Sequence, residues 1–193
     1  MTTIVVTDRR VLADFIPSTV LANVLLVAGA ASFVGLLAQV SIPLGFTPVP
    51  LTGQTLGVAL AGAALGWRRA LASMSLYVVA GLAGLPWFAQ HSHGFPTYTF
   101  GYLFGFVVAG AVLGVLAERG RDRSVLSAVP AMLAAEIVIF FFGVAWLKYS
   151  AHLSVAQAIS NGLTPFLGVE AIKIVLAGAA LPSAWRLVER VTR

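Results

Sequence analysis

Charge and sulfur are what this sequence withholds. It has no cysteine, which excludes disulfide staples and thiolate metal or redox chemistry. Only 10% of its 193 residues are charged, against about a quarter in soluble domains. No Asp, Glu, Lys or Arg interrupts the run from Phe15 to Trp67. There is no Walker lysine loop, no G-x-S-x-G, no H-E-x-x-H and no Gly-rich dinucleotide turn. The chain therefore does not read as an enzyme. If it moves a solute against a gradient, ATP is consumed by a partner.

Apolar residues fill the gap. They make up 59% of the chain, with a mean hydropathy of +0.95. This is the composition of an integral membrane protein, all-α because a span must satisfy its own backbone. The expected organisation is one transmembrane domain over 1–193. Residues 1–19 form an N-terminal segment and residues 20–188 or so a six-helix bundle. The expected spans are Val20–Val40, Gln54–Gly66, Ala70–Leu85, Thr99–Ala117, Val125–Leu147 and Phe166–Leu187. The first has length enough for a bilayer core of about 30 Å at about 1.5 Å per residue. Arg9 and Arg10 followed by this apolar stretch resemble a signal peptide, but the stretch is too long and more spans follow, so it reads as retained.

The pI near 10.2 does not point to nucleic acid, because the basic residues sit in short segments between apolar runs. With six spans, Arg9, Arg10, Arg68, Arg69, Arg119, Arg121, Arg123, Arg186, Arg190 and Arg193 all fall on one side. The positive-inside rule makes that side cytoplasmic, with both termini inside the cell membrane. The opposite loops carry one formal charge, Lys148.

One of those outer loops is unusual. Ile42-Pro-Leu-Gly-Phe-Thr-Pro-Val-Pro-Leu-Thr-Gly-Gln-Thr-Leu-Gly57 holds three prolines and no charge. Proline fixes φ and removes a donor, so this piece is neither plain helix nor central strand. Irregular backbone at membrane depth persists only where protein or a wet cavity satisfies it.

Three ionisable residues fall inside the expected spans: Glu136, Glu170 and Lys173. Such groups face the bundle interior and mark sites by default. Glu170 and Lys173, three apart, share a helix face and can pair. They form either a self-neutralising structural pair or the polar part of a ligand site, and their place near the outer end of span six favours the site. Glu136 fits a proton relay or a hydrogen-bonded packing residue equally well. Gln54 offers donors and acceptors where the proline-rich loop meets span two, or simply ends a helix. Tyr98, Tyr102, Trp87 and Trp146 at outer ends suit an interfacial belt, and one or two could stack on a ligand. His91 and His93 form an H-x-H pair with no third partner nearby, so no metal site is expected. Small residues recur every four positions at Gly101, Gly105 and Ala109, and at Ala31 and Gly35. The first set suits internal packing, and the second either packing or the docking of another membrane subunit.

At these blocks the chain resembles the BioY family, the substrate-binding (S) components of energy-coupling factor (ECF) biotin transporters. The resemblance is carried by the proline-rich segment, then Gly81-Leu-Ala-Gly-Leu-Pro86, Gly101-Tyr-Leu-Phe-Gly105, Gly143-Val-Ala-Trp-Leu147, and Ile159-Ser-Asn161 with Glu170-Ala-Ile-Lys173. It implies a six-helix S-component fold, biotin captured from outside, and three partner subunits. These are a transmembrane coupling (T) subunit and two cytoplasmic ATPases. ATP is then used only by the partners, and no cofactor is bound covalently. Lys173, Gln54, Tyr102 and Asn161 match family positions. Glu170 stands where the family usually has Asp, and Leu103 where some members carry Arg. Ala31 and Gly35 resemble the small face through which S components meet the T subunit. Biotin's urea N–H groups suit the Glu170 carboxylate, and its apolar body suits walls that include Phe46, Val49, Trp87 and Tyr102. The proline-rich loop would then act as the lid.

Overall fold

The computed structural model describes residues 11–191, so Arg9, Arg10 and Arg193 of the charge count lie outside the described residues. Helix dominates: α1 Val20–Gln39, α2 Gln54–Leu65, α3 Trp67–Leu82, α4 Phe100–Glu118, α5 Val125–Ser150, α6 Val155–Gly162 and α7 Leu167–Val191. Each of the six expected spans falls on one long helix. The short α6 is an addition, lying in a stretch read as an outer loop. Among the described residues, four helical stretches are long and apolar enough to cross a membrane: Val20–Gln39, Phe100–Glu118, Val125–Ser150 and the run Val155–Val188.

Local chemistry sets the helix ends. The Thr19 hydroxyl accepts from Ala22 N and caps α1, and Ser124 caps α5 by accepting from Ser127 N. Ser154 and Gln157 form a reciprocal capping box that starts α6. Between α2 and α3 the chain turns at Gly66, whose φ of 78° suits glycine. The first N–H of α3, on Trp67, donates to Glu118 Oε1 at 3.1 Å, so a carboxylate from α4 caps the positive end of that helix.

The proline-rich segment becomes a hairpin with two-residue strands, Ser41–Ile42 (β1) and Leu51–Thr52 (β2), paired antiparallel. Pro43, Pro48 and Pro50 all fall between the strands, where no ladder donor is needed. Gly53 N donates to Leu37 O and Val40 O and ties the hairpin base to the end of α1.

Small residues fix the helix spacing. A Cβ on Gly105 would stand 2.9 Å from Ile139 Cα, so glycine is what lets α4 lie against α5. The small face of Ala31 and Gly35 on α1 packs within the chain. Both are buried, and a Cβ on Gly35 would come within 3.2 Å of Trp87 Cβ. At Gly35 that face of α1 holds the 83–99 segment.

One end of the bundle gathers the basic residues. Arg69 bonds Asp14 and Asn23 there. The 119–124 turn is pinned by Trp185 Nε1, which donates to Asp122 Oδ2 at 2.6 Å. Arg123 stacks over the Trp185 ring at 4.6 Å. The hairpin and α6 belong to the opposite end.

Gly105→Val is expected to cost about 1–3 kcal/mol by forcing α4 off α5, read as a lower melting temperature in detergent. Burial pushes the Asp122 carboxyl above its ordinary value, while the Trp185 bond pulls the other way. A carboxyl raised in the folded state favours folding below its unfolded value, and this contribution is lost as pH climbs through the folded one. Acidification across that window is therefore expected to raise the wild-type melting temperature more than that of Asp122→Asn.

Candidate functional site

A partly open cavity, with about 70 Å³ of room for water-sized solutes, lies under the hairpin. Val49, Pro50 and Thr52 line it from above, and Gln54 and Thr55 from the first turn of α2. The 83–99 segment adds Phe88 and Ser92. α4 supplies Tyr102 and Phe106, α5 supplies Ile139 and Phe140, and α7 supplies Glu170. The wall is mostly apolar and aromatic, with a few polar groups converging on one side.

Those polar groups form a closed network. Glu170 and Lys173 meet as the sequence spacing predicts, with Lys173 Nζ to Glu170 Oε1 at 2.7 Å. Lys173 also donates to Thr52 O at 2.5 Å and to Thr55 Oγ1 at 2.9 Å. The Thr55 hydroxyl donates in turn to Glu170 Oε2 at 2.7 Å. An ammonium has three donors, and all three are engaged. Lys173 is therefore spent on holding Glu170 and the hairpin end, and it stands behind the cavity wall. Glu170 faces the cavity with lone pairs to spare.

The other expected site residues divide. Gln54, Val49 and Tyr102 line the cavity with Glu170. Gln54 Nε2 donates to Tyr77 OH at 2.7 Å, and Tyr102 OH donates to Gly162 O at 2.7 Å. Trp87 lies behind the wall, its Nε1 donating to Tyr77 O, and its neighbour Phe88 takes the cavity face. Phe46 is at the hairpin tip, 64% exposed and outside the lining. Asn161 takes part through its backbone: its carbonyl accepts from Thr47 Oγ1 at 2.9 Å and moors the hairpin tip to α6. Glu136 is buried on α5, with Oε2 unpartnered among the described residues. Together with Glu170 it borders an apolar groove between α5, α6 and α7. His91 and His93 are exposed on the 83–99 segment.

Sequence reasoning missed Thr52, Thr55, Phe88 and Tyr77. Thr52 and Thr55 stood inside the quoted proline-rich block, flanking Gln54 by one or two positions. Phe88 and Tyr102 share a device that the glycine blocks encode. Phe88 rests on Gly81 and Tyr102 on Gly143, each so close that a Cβ would overlap the ring.

Two outcomes check this geometry. Glu170→Gln and Lys173→Met each leave a buried charge unpaired and are expected to cost about 3–5 kcal/mol. The double variant removes both charges and is expected to melt above either single variant. Gly143→Ala is expected to displace Tyr102 and weaken ligand binding more than it lowers the melting temperature.

The sequence profile of the BioY family matches residues 9–190. A biotin transporter, BioY2, of Lactococcus lactis subsp. cremoris is 32% identical over 162 residues, covering 82% of this chain and 87% of that protein. The biotin transporter BioY of Thermotoga maritima is 37% identical over 143 residues, covering 72% and 82%. A crystal structure of the S-component for biotin from an ECF-type ABC transporter superposes with a TM-score of 0.78 at 22% identity, over 86% of this chain and 92% of that one. The last likeness is one of fold, and it agrees with the apolar helices of a multi-pass membrane protein. A family profile spanning nearly the whole described chain, with relatives similar over most of their own length, leads to one conclusion: this chain belongs to the BioY family.

Proposed function

We propose that this protein is the biotin-binding S component of an ECF-type transporter. It captures biotin from outside the cell and delivers it with a transmembrane T subunit and two cytoplasmic ATPases. All six long helices cross the membrane, with both termini inside. The observation that carries the reading is the cavity: an aromatic and aliphatic chamber with the Glu170 carboxylate and the Gln54 amide on one side, roofed by a hairpin. Biotin has the matching halves, a thioether bicycle and chain for the walls, and a urea whose N–H groups a carboxylate accepts. The relatives named as biotin transporters support the same ligand. For the orientation, the support is the gathering of Arg68, Arg69, Arg119, Arg121, Arg123, Arg186 and Arg190 away from the hairpin end.

Within this reading each expected site residue has a part. Glu170 accepts the urea N–H groups. Lys173 pairs with that carboxylate and holds it in place. Gln54, Val49 and Tyr102 bound the ligand directly, while Asn161 and Trp87 hold the segments that enclose it. The extra methylene of Glu170, relative to the usual Asp, brings its carboxylate toward Thr55 on α2. Phe46, at the hairpin tip, joins the wall only if the hairpin folds inward over the ligand.

One observation favours a second reading. Glu136, buried beside Glu170 with a free oxygen, suits a stand-alone proton-coupled carrier. Uptake that survives an uncoupler but fails without ATPase subunits would exclude that carrier.

Titration of the purified protein with biotin tests the main reading. Wild type is expected to bind, and Glu170→Ala to lose affinity on the order of 10- to 100-fold, the worth of about one hydrogen bond to a charged group. Unchanged affinity in Glu170→Ala would remove this carboxylate from the site.

A further inference from the structure

The hydroxyl of Tyr77, on α3, is fully buried and lies outside the cavity lining, yet it sits at the junction of three elements. It is 2.7 Å from Gln54 Nε2 on α2 and 3.3 Å from Trp87 O in the 83–99 segment. A hydroxyl has one proton, and a carbonyl can only accept. In this arrangement the Tyr77 hydroxyl donates to Trp87 O and accepts from Gln54 Nε2. This fixes which end of the Gln54 amide faces Tyr77: the NH2 group does. The other end, Oε1, has no hydrogen-bond partner among the described residues, and Gln54 lines the cavity.

The junction is rigid. Trp87 Nε1 donates back to Tyr77 O at 2.9 Å, and the two rings lie 5.2 Å apart. Phe88 meets the Tyr77 ring edge-on at 5.4 Å. Gln39 Nε2 from α1 donates to Trp87 O and Phe88 O, holding the acceptor carbonyl in place. Turning the amide over would bring Oε1 to Tyr77, and the hydroxyl could meet it only by giving up its bond to Trp87 O.

We infer that Tyr77 is a positioning residue for ligand selection: it locks the Gln54 amide with its oxygen toward the cavity, so that Gln54 reads an N–H group on the ligand. The polar side of the cavity then offers two fixed acceptors, Gln54 Oε1 and the Glu170 carboxylate. That pattern selects a solute with paired N–H donors, such as a cyclic urea, over one that presents acceptors. Without the Tyr77 hydroxyl the amide is free to rotate by half a turn and present N–H instead, and the selection is lost. The inference rests on the biotin reading and adds the group that sets its polarity.

A double-mutant cycle tests it, with biotin affinity measured on purified protein. Tyr77→Phe keeps the ring and removes only the hydroxyl. It is expected to weaken biotin about five- to tenfold in the wild-type background, and by less than about twofold once Gln54→Met has removed the amide. Equal losses in both backgrounds would mean that the hydroxyl acts on the fold alone and would overturn the inference. A second arm needs no variant to fold. Biotin methylated at its ureido nitrogens is expected to bind wild type at least about tenfold more weakly than biotin, and equal binding would overturn it. A wild type that binds no biotin at all overturns the functional reading and this inference with it.

Discussion

Two opposite charges buried within an apolar bundle are tolerable only together, and in this molecule that constraint places Glu170 and Lys173 where they are. Three residues apart on α7, they meet on one face at 2.7 Å. Neither could be left alone there without a large desolvation cost. The pair does more than cancel itself. Lys173 reaches Thr52 O at the end of the hairpin and Thr55 on α2, and Thr55 closes the ring onto Glu170. A helix, the start of another helix and the base of the lid are thus joined by one set of bonds. Glu170 is held in one orientation before any ligand arrives, which lowers the ordering cost of binding.

The rest of the cavity follows from a fixed base and a lightly moored top. Its base is bolted to α1 through Gly53 and to α7 through Lys173. Its tip is moored to α6 by the Thr47 hydroxyl on Asn161 O. The prolines at 43, 48 and 50 restrict the hairpin in the open state as well as the closed one, so closure orders little new backbone. Aromatic walls are set by glycines on neighbouring helices: Tyr102 rests on Gly143 and Phe88 on Gly81. Ring position is therefore decided by backbone, which side-chain motion cannot relax.

How much of this was legible in the sequence depends on whether a residue acts through its own helix or across the fold. The long helices could be read from apolar runs bounded by arginines, and the Glu170–Lys173 contact from a spacing of three. The hairpin could be read as irregular, because proline forbids the alternatives. Residues that act across the fold were not legible. Ala31 and Gly35 make a small face in sequence, but nothing local says that Trp87 packs on Gly35. Trp87, aromatic and at the outer end of an expected span, has the sequence character of a wall residue, whereas the neighbouring Phe88 has the cavity side. The helix α6 did carry a signal, the Ser154-x-x-Gln157 capping box, masked by its few apolar residues and position in a polar loop.

On the proposed reading, biotin sits in the chamber under the hairpin. An experimental structure of the isolated chain in complex with biotin tests it most directly. Ligand density is expected between Gln54, Tyr102 and Glu170, with the urea against the carboxylate and the hairpin closed above it. Density confined to the apolar groove beside Glu136, with the chamber under the hairpin empty, would contradict it.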